Sequence, residues 1–188
     1  ELLLEDEYYD KVIVLARRRL TFDYPTLVQH IVDFNTLEVS ASLVQATDVF
    51  CCLGTTIRKA GSQEAFRKVD YEYPLKIAEV AAAHGTEQFL IVTALGANAN
   101  SGIFYNRVKG EIEQAVSKLP FRAIHIFRPS ILVGDRREPR PGERVGIAVM
   151  QFLSFLMVGP WRKYRPIEAQ VVARGMVASV KMKRTGVN

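Results

Sequence analysis

The chain has 188 residues, of which 48% are hydrophobic and 24% are charged, and its net charge is +5. This length and composition predict one globular domain spanning residues 1–188, and they exclude a disordered or fibrous protein. The basic balance suits an anionic ligand such as a dinucleotide phosphate. Nucleic acid, a membrane surface or plain solvated charge fits the same balance.

Cysteine and histidine usage excludes two classes of site. Cys51 and Cys52 are adjacent, so no disulfide framework is expected, and a reducing compartment is predicted, which is the cytoplasm or another reducing compartment. The three histidines are scattered without ligand spacing, so no metal site is predicted. The apolar run 145–159 is too short for a membrane span, and we expect a buried or interfacial helix there.

Strands and helices are predicted to alternate along the chain. Residues 1–8 are interpreted as the tail of a helix. Strands are predicted at 11–16, 30–34, 48–53, 89–92, 122–127 and 164–167, and helices at 37–45, 71–84, 103–119, 145–158 and 168–183. The strands are short β-branched or apolar runs, and the helix 71–84 has an apolar side and a glycine after it. This alternation predicts an α/β fold with a doubly wound parallel sheet of the Rossmann-like type.

Ligands of such sheets bind at the carboxyl ends of the strands, where Arg17, Gly54, Thr93 and Pro129 are all predicted to lie. Guanidinium groups at residues 17–19 suit an adenosine 2′-phosphate, although a bare charge run is more often solvated surface.

Two further strand ends carry residues suited to a dinucleotide. Asp33 and Phe34 end the predicted strand 30–34, where an adenine is expected. Gly54 and Thr55 follow the strand 48–53, and a glycine there lets a cofactor approach the backbone, although a plain turn is the simpler reading.

The stretch 89–110 carries the chemistry. Tyr105 and Lys109 lie four residues apart in a predicted helix, so both side chains leave from the same face. An ammonium beside a phenol favours the phenolate, which would bring the tyrosine pKa toward the working range of an acid–base catalyst. Thr93, at the end of the preceding strand, adds a hydroxyl that can polarise a carbonyl. The spacing alone also arises by chance.

The charged, proline-broken loop 135–144 is typical of solvated coil. Next to an anionic ligand it could fold over as a lid, and 135–168 is therefore interpreted as a substrate or lid subregion.

Four strings together carry a family resemblance: DVFCCLGTT, VDYEYPLKIAEVA, YNRVKGEIE and FRPSILVGDRREPRPGE. With them the chain resembles the atypical short-chain dehydrogenase/reductases, and in particular the Tat-interacting oxidoreductase-like family, from about residue 11 to 179. The resemblance implies NADP(H) as the cofactor and hydride transfer to or from a carbonyl substrate.

The resemblance also implies roles for single residues. Arg17 and Arg18 would take the 2′-phosphate, and Leu53 and Gly54 would line the dinucleotide path. Tyr105 would relay the proton, and Lys109 would bind the nicotinamide ribose. Thr93 stands where the family has a catalytic serine. Leu132 would lie near the nicotinamide, and Arg140 would close over the phosphates.

One departure is large. Such folds begin with a strand and a glycine-rich turn that receives the pyrophosphate, whereas the first glycine here is Gly54. The first strand and turn are therefore expected to be missing from residues 1–188, and these residues alone are expected to bind NADPH far more weakly than a complete relative.

Three functions remain open. The first is an NADP(H)-dependent reductase, and the second is a regulatory or scaffolding protein whose protein partners respond to NADPH. Direct nucleic-acid binding rests on charge alone, and because no nucleic-acid module is recognisable it is not expected.

Overall fold

The structure is a computed structural model that describes residues 1–36, 43–133 and 164–188. Its strands are β1 (Val12–Ala16), β2 (Leu27–Ile31), β3 (Asp48–Cys51), β4 (Gln88–Val92), β5 (Ala123–Phe127), β6 (Leu132–Val133), β7 (Ile167–Glu168) and β8 (Gly186–Val187). Its helices are α1 (Ile57–Ala60), α2 (Gln63–Arg67), α3 (Tyr73–Ala83), α4 (Phe104–Val116) and α5 (Ala169–Lys181), and a π-helical turn (Lys68–Glu72) leads into α3.

Every strand pairing among the described residues is parallel. A two-stranded sheet pairs β1 with β2, a four-stranded sheet has the order β3-β4-β5-β8, and a third small sheet pairs β6 with β7. In one sheet β2 follows β1, and in the other β4 and β5 follow β3. The two series extend in opposite directions from the gap between β1 and β3. The order therefore reverses between β1 and β3, as in a doubly wound fold, and this confirms the predicted fold class.

Helices cover both faces of the four-stranded sheet because β4 is apolar on both faces. Phe89 and Ile91 pack in one core cluster with residues of α3 and α4. Leu90, between them in sequence, points to the other face, where Met176 and Val180 of α5 cover it. Successive side chains of a strand alternate between its faces, so a strand with apolar residues on both faces requires a layer on each side.

Several predicted boundaries need correction. Residues 1–8 form turns, in which Leu4 and Glu5 donate to the carbonyl of Glu1, and not a helix tail. The strand predicted at 30–34 lies at 27–31, and the strand predicted at 164–167 is only the pair Ile167–Glu168. The predicted helix 37–45 lies largely outside the described residues, and the predicted loop 135–144 and helix 145–158 lie wholly outside them.

Candidate functional site

The carboxyl end of β3 turns around a buried carboxylate. The backbone N–H of Thr55 donates to Oδ2 of Asp70 at 2.8 Å. A Cβ added at Gly54 would meet Oδ1 of Asp70 at 3.4 Å and Nζ of Lys109 at 3.8 Å. The glycine thus lets the β3 turn lie directly against the two charged groups, at the point where the strand order reverses.

Asp70 owes its position to the π-helical turn before α3. It is 1% exposed, and in the chain it precedes Ile77 by seven residues and Ala81 by eleven, both of which are buried on α3. π-helical turns recur at functional sites because the extra residue redirects a side chain. The sequence analysis missed this residue. The sequence does contain a signal for Asp70, because this acid is spaced from the apolar residues of α3 as if it belonged to their side of the helix. A carboxylate on a buried side needs a partner, so this pattern could have identified Asp70.

Lys109 of α4 supplies that partner. Its Nζ lies 2.7 Å from Oδ1 of Asp70, and the Lys109 side chain is 6% exposed. Burial raises the pKa of Asp70, while the nearby Lys109 ammonium and the Thr55 N–H act in the opposite direction. The pair is a buried ion pair between two helical segments that are 39 residues apart in sequence.

Tyr105 lies one turn before Lys109 on α4. Its ring packs on Phe66, with 5.4 Å between the ring centroids. Burial raises the pKa of the phenol, and the charge of Asp70 raises it further. The expectation that Lys109 lowers this pKa is therefore wrong in this arrangement, because the Lys109 charge is balanced by Asp70.

Thr93 belongs to a second cluster on α4. Its hydroxyl donates to Oε1 of Glu113 at 2.5 Å, and it also contacts the carbonyl of Phe127 at 3.3 Å. Arg128 holds the same carboxylate through two nitrogens, with Nε 3.0 Å from Oε1 and Nη2 2.5 Å from Oε2. The Thr93 proton is thus directed toward α4, so its predicted catalytic role stays a prediction.

A close approach between a loop and α4 fixes the position of the Tyr105 turn. A Cβ at Gly110 would lie 2.1 Å from the N atom of Ala99 and 2.3 Å from the C atom of Asn98. The N–H of Asn98 also donates to the carbonyl of Asn106 at 3.0 Å. Only glycine at position 110 lets the loop lie on the helix.

The residues predicted for the adenosine half lie at the ends of β1 and β2. Arg17 and Arg18 are exposed directly after β1, whereas Arg19 pairs with Asp23 at 3.2 Å. Asp33 accepts from the N–H of Asn35 at 2.9 Å, and this bond lowers the pKa of its carboxyl.

Phe34 is placed differently from the other predicted adenine neighbour. It is 6% exposed and stacks on Tyr73 at 5.7 Å, so the structure gives it a place in the core. Its edge also lines a cleft between β1 and β3.

The remaining predicted residues lie along the carboxyl edge of the four-stranded sheet. Leu53 packs partly against the core just before Gly54. The carbonyl of Pro129 accepts from the N–H of Leu95 at 3.0 Å, which ties together the loops after β4 and β5. Leu132 begins β6. Arg140 lies outside the described residues.

Residues 1–36, 43–133 and 164–188 contain no group of three or more acidic, cysteine or histidine side chains suited to a metal ion. It also contains no helix with the length and apolarity needed to cross a bilayer. Both cysteines are free.

Two curated relatives share long stretches with this sequence. The rat protein HTATIP2 is 44% identical over 145 residues, which are 75% of this chain and 60% of that protein. The protein FMP52, mitochondrial, of Candida albicans is 32% identical over 154 residues, which are 80% of this chain and 65% of that protein. No protein-family profile matches the chain.

The chain is therefore similar in sequence to HTATIP2 and to FMP52 over most of its length. This confirms the resemblance seen in the sequence. The chain spans about 60 to 65% of these two relatives, so the activity, substrates and partners of the whole protein are matters for proposal.

Two solved structures share the fold. MoeE5 in complex with UDP-glucuronic acid and NAD has a TM-score of 0.67 at 13% identity, and the match covers 94% of this chain and 66% of that one. A double mutant of DesIV, a dTDP-glucose 4,6-dehydratase from Streptomyces venezuelae with NAD bound, has a TM-score of 0.69 at 13% identity. The match covers 95% of this chain and 65% of that one. At these identities the likeness shows the Rossmann-like fold alone.

The predicted cytoplasmic location is wrong. Several fungal relatives of this chain carry the word mitochondrial in their names. Free cysteines indicate a reducing compartment, but they do not distinguish the cytoplasm from the mitochondrial matrix.

Proposed function

We propose that this protein is an NADP(H)-dependent oxidoreductase that reduces a carbonyl compound, with Tyr105 as the proton donor. The observation that carries the proposal is the Lys109–Asp70 ion pair against the Gly54–Thr55 turn. It sits one helical turn from Tyr105 and at the carboxyl end of β3, beside the reversal of strand order where dinucleotides bind in such sheets.

The residues present fit a dinucleotide phosphate. Arg17 and Arg18 are exposed at the carboxyl end of β1, and paired guanidinium groups bind a phosphate bidentately. Gly54 presents no Cβ toward the site, so a ligand can approach the backbone closely. These features favour NADP(H) over NAD(H), because only the former carries a 2′-phosphate.

Lys109 has a holding role in this proposal. An ammonium has three N–H donors, and its Nζ forms an ion pair with Oδ1 of Asp70 at 2.7 Å. Two donors remain for hydroxyl groups such as those of a ribose. The Asp70 carboxylate fixes the ammonium in place, so the ribose meets a donor that is already oriented.

Tyr105 then completes a reduction. The nicotinamide, when bound, supplies a hydride to the carbonyl carbon. The Tyr105 hydroxyl gives its proton to the carbonyl oxygen, which yields the alcohol, and solvent returns a proton to the phenolate. The phenol is protonated at neutral pH and can therefore donate in this direction, although its raised pKa makes it a weaker acid than a catalyst whose pKa lies near the working pH.

Cofactor choice is tested by fluorescence titration of the full gene product that contains residues 1–188. NADPH is expected to bind at micromolar concentration and NADH much more weakly. Replacing Arg17 and Arg18 together by alanine is expected to weaken NADPH binding about 10- to 100-fold, the value of one or two charge-assisted contacts. NADH binding should not change. Arg19→Ala is the matched control because Arg19 pairs with Asp23; equal affinity for both cofactors would exclude NADP(H) specificity.

Turnover is tested with a panel of aldehydes and ketones. Tyr105→Phe is expected to abolish NADPH oxidation while leaving the unfolding midpoint and NADPH affinity unchanged. Tyr24→Phe, at an exposed tyrosine, controls for the loss of a phenol elsewhere. Unchanged turnover in Tyr105→Phe would exclude the assigned role.

A second candidate is an NADPH-responsive regulatory or scaffolding protein, and the same site supports it. The Lys109 charge is already balanced by Asp70, and the pKa of Tyr105 is raised rather than lowered, so the pair is arranged for binding more clearly than for fast proton transfer. A partner pull-down with and without NADPH, run beside the substrate panel, separates the two. NADPH-dependent capture without turnover favours regulation.

We propose a mitochondrial location, on the strength of the names of the fungal relatives. Subcellular fractionation of the full gene product tests it. Enrichment in the cytosolic fraction would exclude it.

A further inference from the structure

The loop between β1 and β2 carries a threonine that closely follows the arginine run. Residues 17–26 separate the two strands, and Thr21 is exposed within them. Arg18 and Arg19 stand three and two residues before it. Basophilic serine/threonine kinases recognise arginine at these two places, because acidic residues of the kinase cleft bind guanidinium groups. Hydride and proton transfer give Thr21 no role.

The Gln29 side chain of β2 holds the loop on both sides of Thr21. Its Oε1 accepts from the N–H of Leu20 at 2.8 Å, and its Nε2 donates to the carbonyl of Phe22 at 3.2 Å. These bonds keep Thr21 beside the carboxyl end of β1. Hydrogen bonds to one side chain are weak enough that the loop can open transiently into a kinase cleft.

Thr21 is within reach of the two arginines that are proposed to bind the cofactor phosphate. Arg18 is three residues away, so the Cα atoms of the two residues are at most about 11 Å apart. A guanidinium group extends several ångströms from its own Cα. Arg19 instead pairs with Asp23 at 3.2 Å. A phosphate on Thr21 would therefore have Arg17 and Arg18 as its nearby cations.

We propose that Thr21 is a phosphorylation site, and that the phosphate, once formed, occupies Arg17 and Arg18 and excludes the 2′-phosphate of NADPH. Both groups are phosphate monoesters that carry close to two negative charges at neutral pH. The same pair of guanidinium groups therefore fits either of them. The inference rests on the proposed function, because it uses the role assigned there to Arg17 and Arg18.

The modification is a phosphoryl transfer from ATP. Oγ1 of Thr21 attacks the γ-phosphorus, the bond from that phosphorus to the β–γ bridging oxygen breaks, and ADP leaves. The hydroxyl proton passes to the catalytic base of the kinase. The attached phosphate then has an effective concentration at the arginines on the order of millimolar, whereas NADPH must bind from solution. A modified molecule therefore needs a higher concentration of NADPH.

The site is tested with the catalytic subunit of cAMP-dependent protein kinase and Mg-ATP, acting on the full gene product that contains residues 1–188. Mass spectrometry of its peptides is expected to find phosphate on Thr21. Arg19→Ala is expected to slow this incorporation about tenfold or more, because the kinase loses one guanidinium contact. An unchanged rate in that variant would overturn the proposal, and so would phosphate found only on Thr185, which also follows basic residues.

The effect on the cofactor is measured by fluorescence titration of protein with phosphothreonine installed at position 21 by genetic-code expansion. NADPH affinity is expected to fall about 10- to 100-fold, as when Arg17 and Arg18 are replaced by alanine, and NADH affinity to change much less. Phosphothreonine at position 185 is the matched control, because Thr185 lies just before β8, at the opposite edge of the four-stranded sheet from β3. An equal loss of affinity for both cofactors would overturn the proposal.

A third measurement does not involve the cofactor. Phosphorus NMR follows the titration of the phosphothreonine at position 21, whose second pKa is ordinarily about 6. Two neighbouring guanidinium groups favour the dianion, so we expect a pKa lower by about 0.5 or more, and replacing Arg17 and Arg18 by alanine should restore it. A pKa that is not lowered overturns the inference. A lowered pKa in a protein whose unmodified form binds NADPH and NADH equally supports the phosphate–arginine contact and contradicts only the proposed cofactor choice.

Discussion

The Nζ atom of Lys109 lies 2.7 Å from Oδ1 of Asp70, and both side chains are almost wholly buried. Taking two charges out of water costs several kcal/mol per ion, so such a pair is stable only when each partner is well placed. Here the second carboxylate oxygen accepts the N–H of Thr55, which anchors the β3 turn as well. Asp70 therefore holds both the β3 turn and the Lys109 ammonium in place at the candidate cofactor site.

Removing one charge of this pair should destabilise the protein more than removing both. Asp70→Asn leaves the Lys109 ammonium buried without a counter-charge, and we expect a loss of about 3 to 5 kcal/mol in the free energy of unfolding. Asp70→Asn combined with Lys109→Met should be more stable than Asp70→Asn alone. Urea unfolding of the two single variants and the double variant measures the coupling, and additive effects would contradict a direct pair.

Gly110→Ala should displace the loop before α4. Its Cβ would lie 2.1 Å from the N atom of Ala99, and overpacking of this kind costs roughly 1 to 3 kcal/mol. Gly102→Ala is the matched control because a Cβ there meets nothing within 4 Å. Thermal unfolding of both variants tests this, and equal midpoints would show that the loop does not need the close approach.

Thr93→Val tests whether the Thr93 hydroxyl supports structure or chemistry. The change removes the donor to Glu113 while keeping the shape, so we expect a loss of about 1 to 3 kcal/mol in stability from a carboxylate left partly unsatisfied. Thr93→Ser keeps the hydroxyl and should lose less. If turnover per folded molecule disappears in Thr93→Val but not in Thr93→Ser, the hydroxyl acts on substrate as the sequence predicted.

Stability should fall as the solution becomes acidic, in part through His125. This side chain is 3% exposed, and burial lowers the pKa of its imidazole, with Arg184 and Arg122 acting in the same direction. The unfolded chain then binds a proton that the folded chain resists, so the contribution of His125 is present above its unfolded pKa of about 6.5 and is lost as pH falls through and below that value.

The measurement is urea unfolding from pH 7.5 to 5.5. His125→Gln is expected to flatten the slope by up to about 1.4 kcal/mol per pH unit, the limit for one proton. The control is His84→Gln, which removes an imidazole from the exposed end of α3. An unchanged slope in His125→Gln would show that another group carries the acid sensitivity.

The sequence by itself determined the fold class and the main elements around the site. The strand β4 is predicted from its run of apolar residues, and the shared helix face of Tyr105 and Lys109 is predicted from their spacing. Both are local patterns of neighbouring residues, which the sequence shows directly. The four family strings, which are also local, were sufficient to indicate the resemblance to the short-chain dehydrogenase/reductases.

Only the tertiary structure decided what those side chains meet. Asp70 reaches Lys109 from another helical segment through a π-helical turn, and no local pattern encodes such a turn. This contact is also why the pKa of Tyr105 is raised where helix spacing alone suggested a lower value. Burial and ion pairing arise between chain segments that meet in space. They therefore cannot be predicted from the spacing of two residues on one helix.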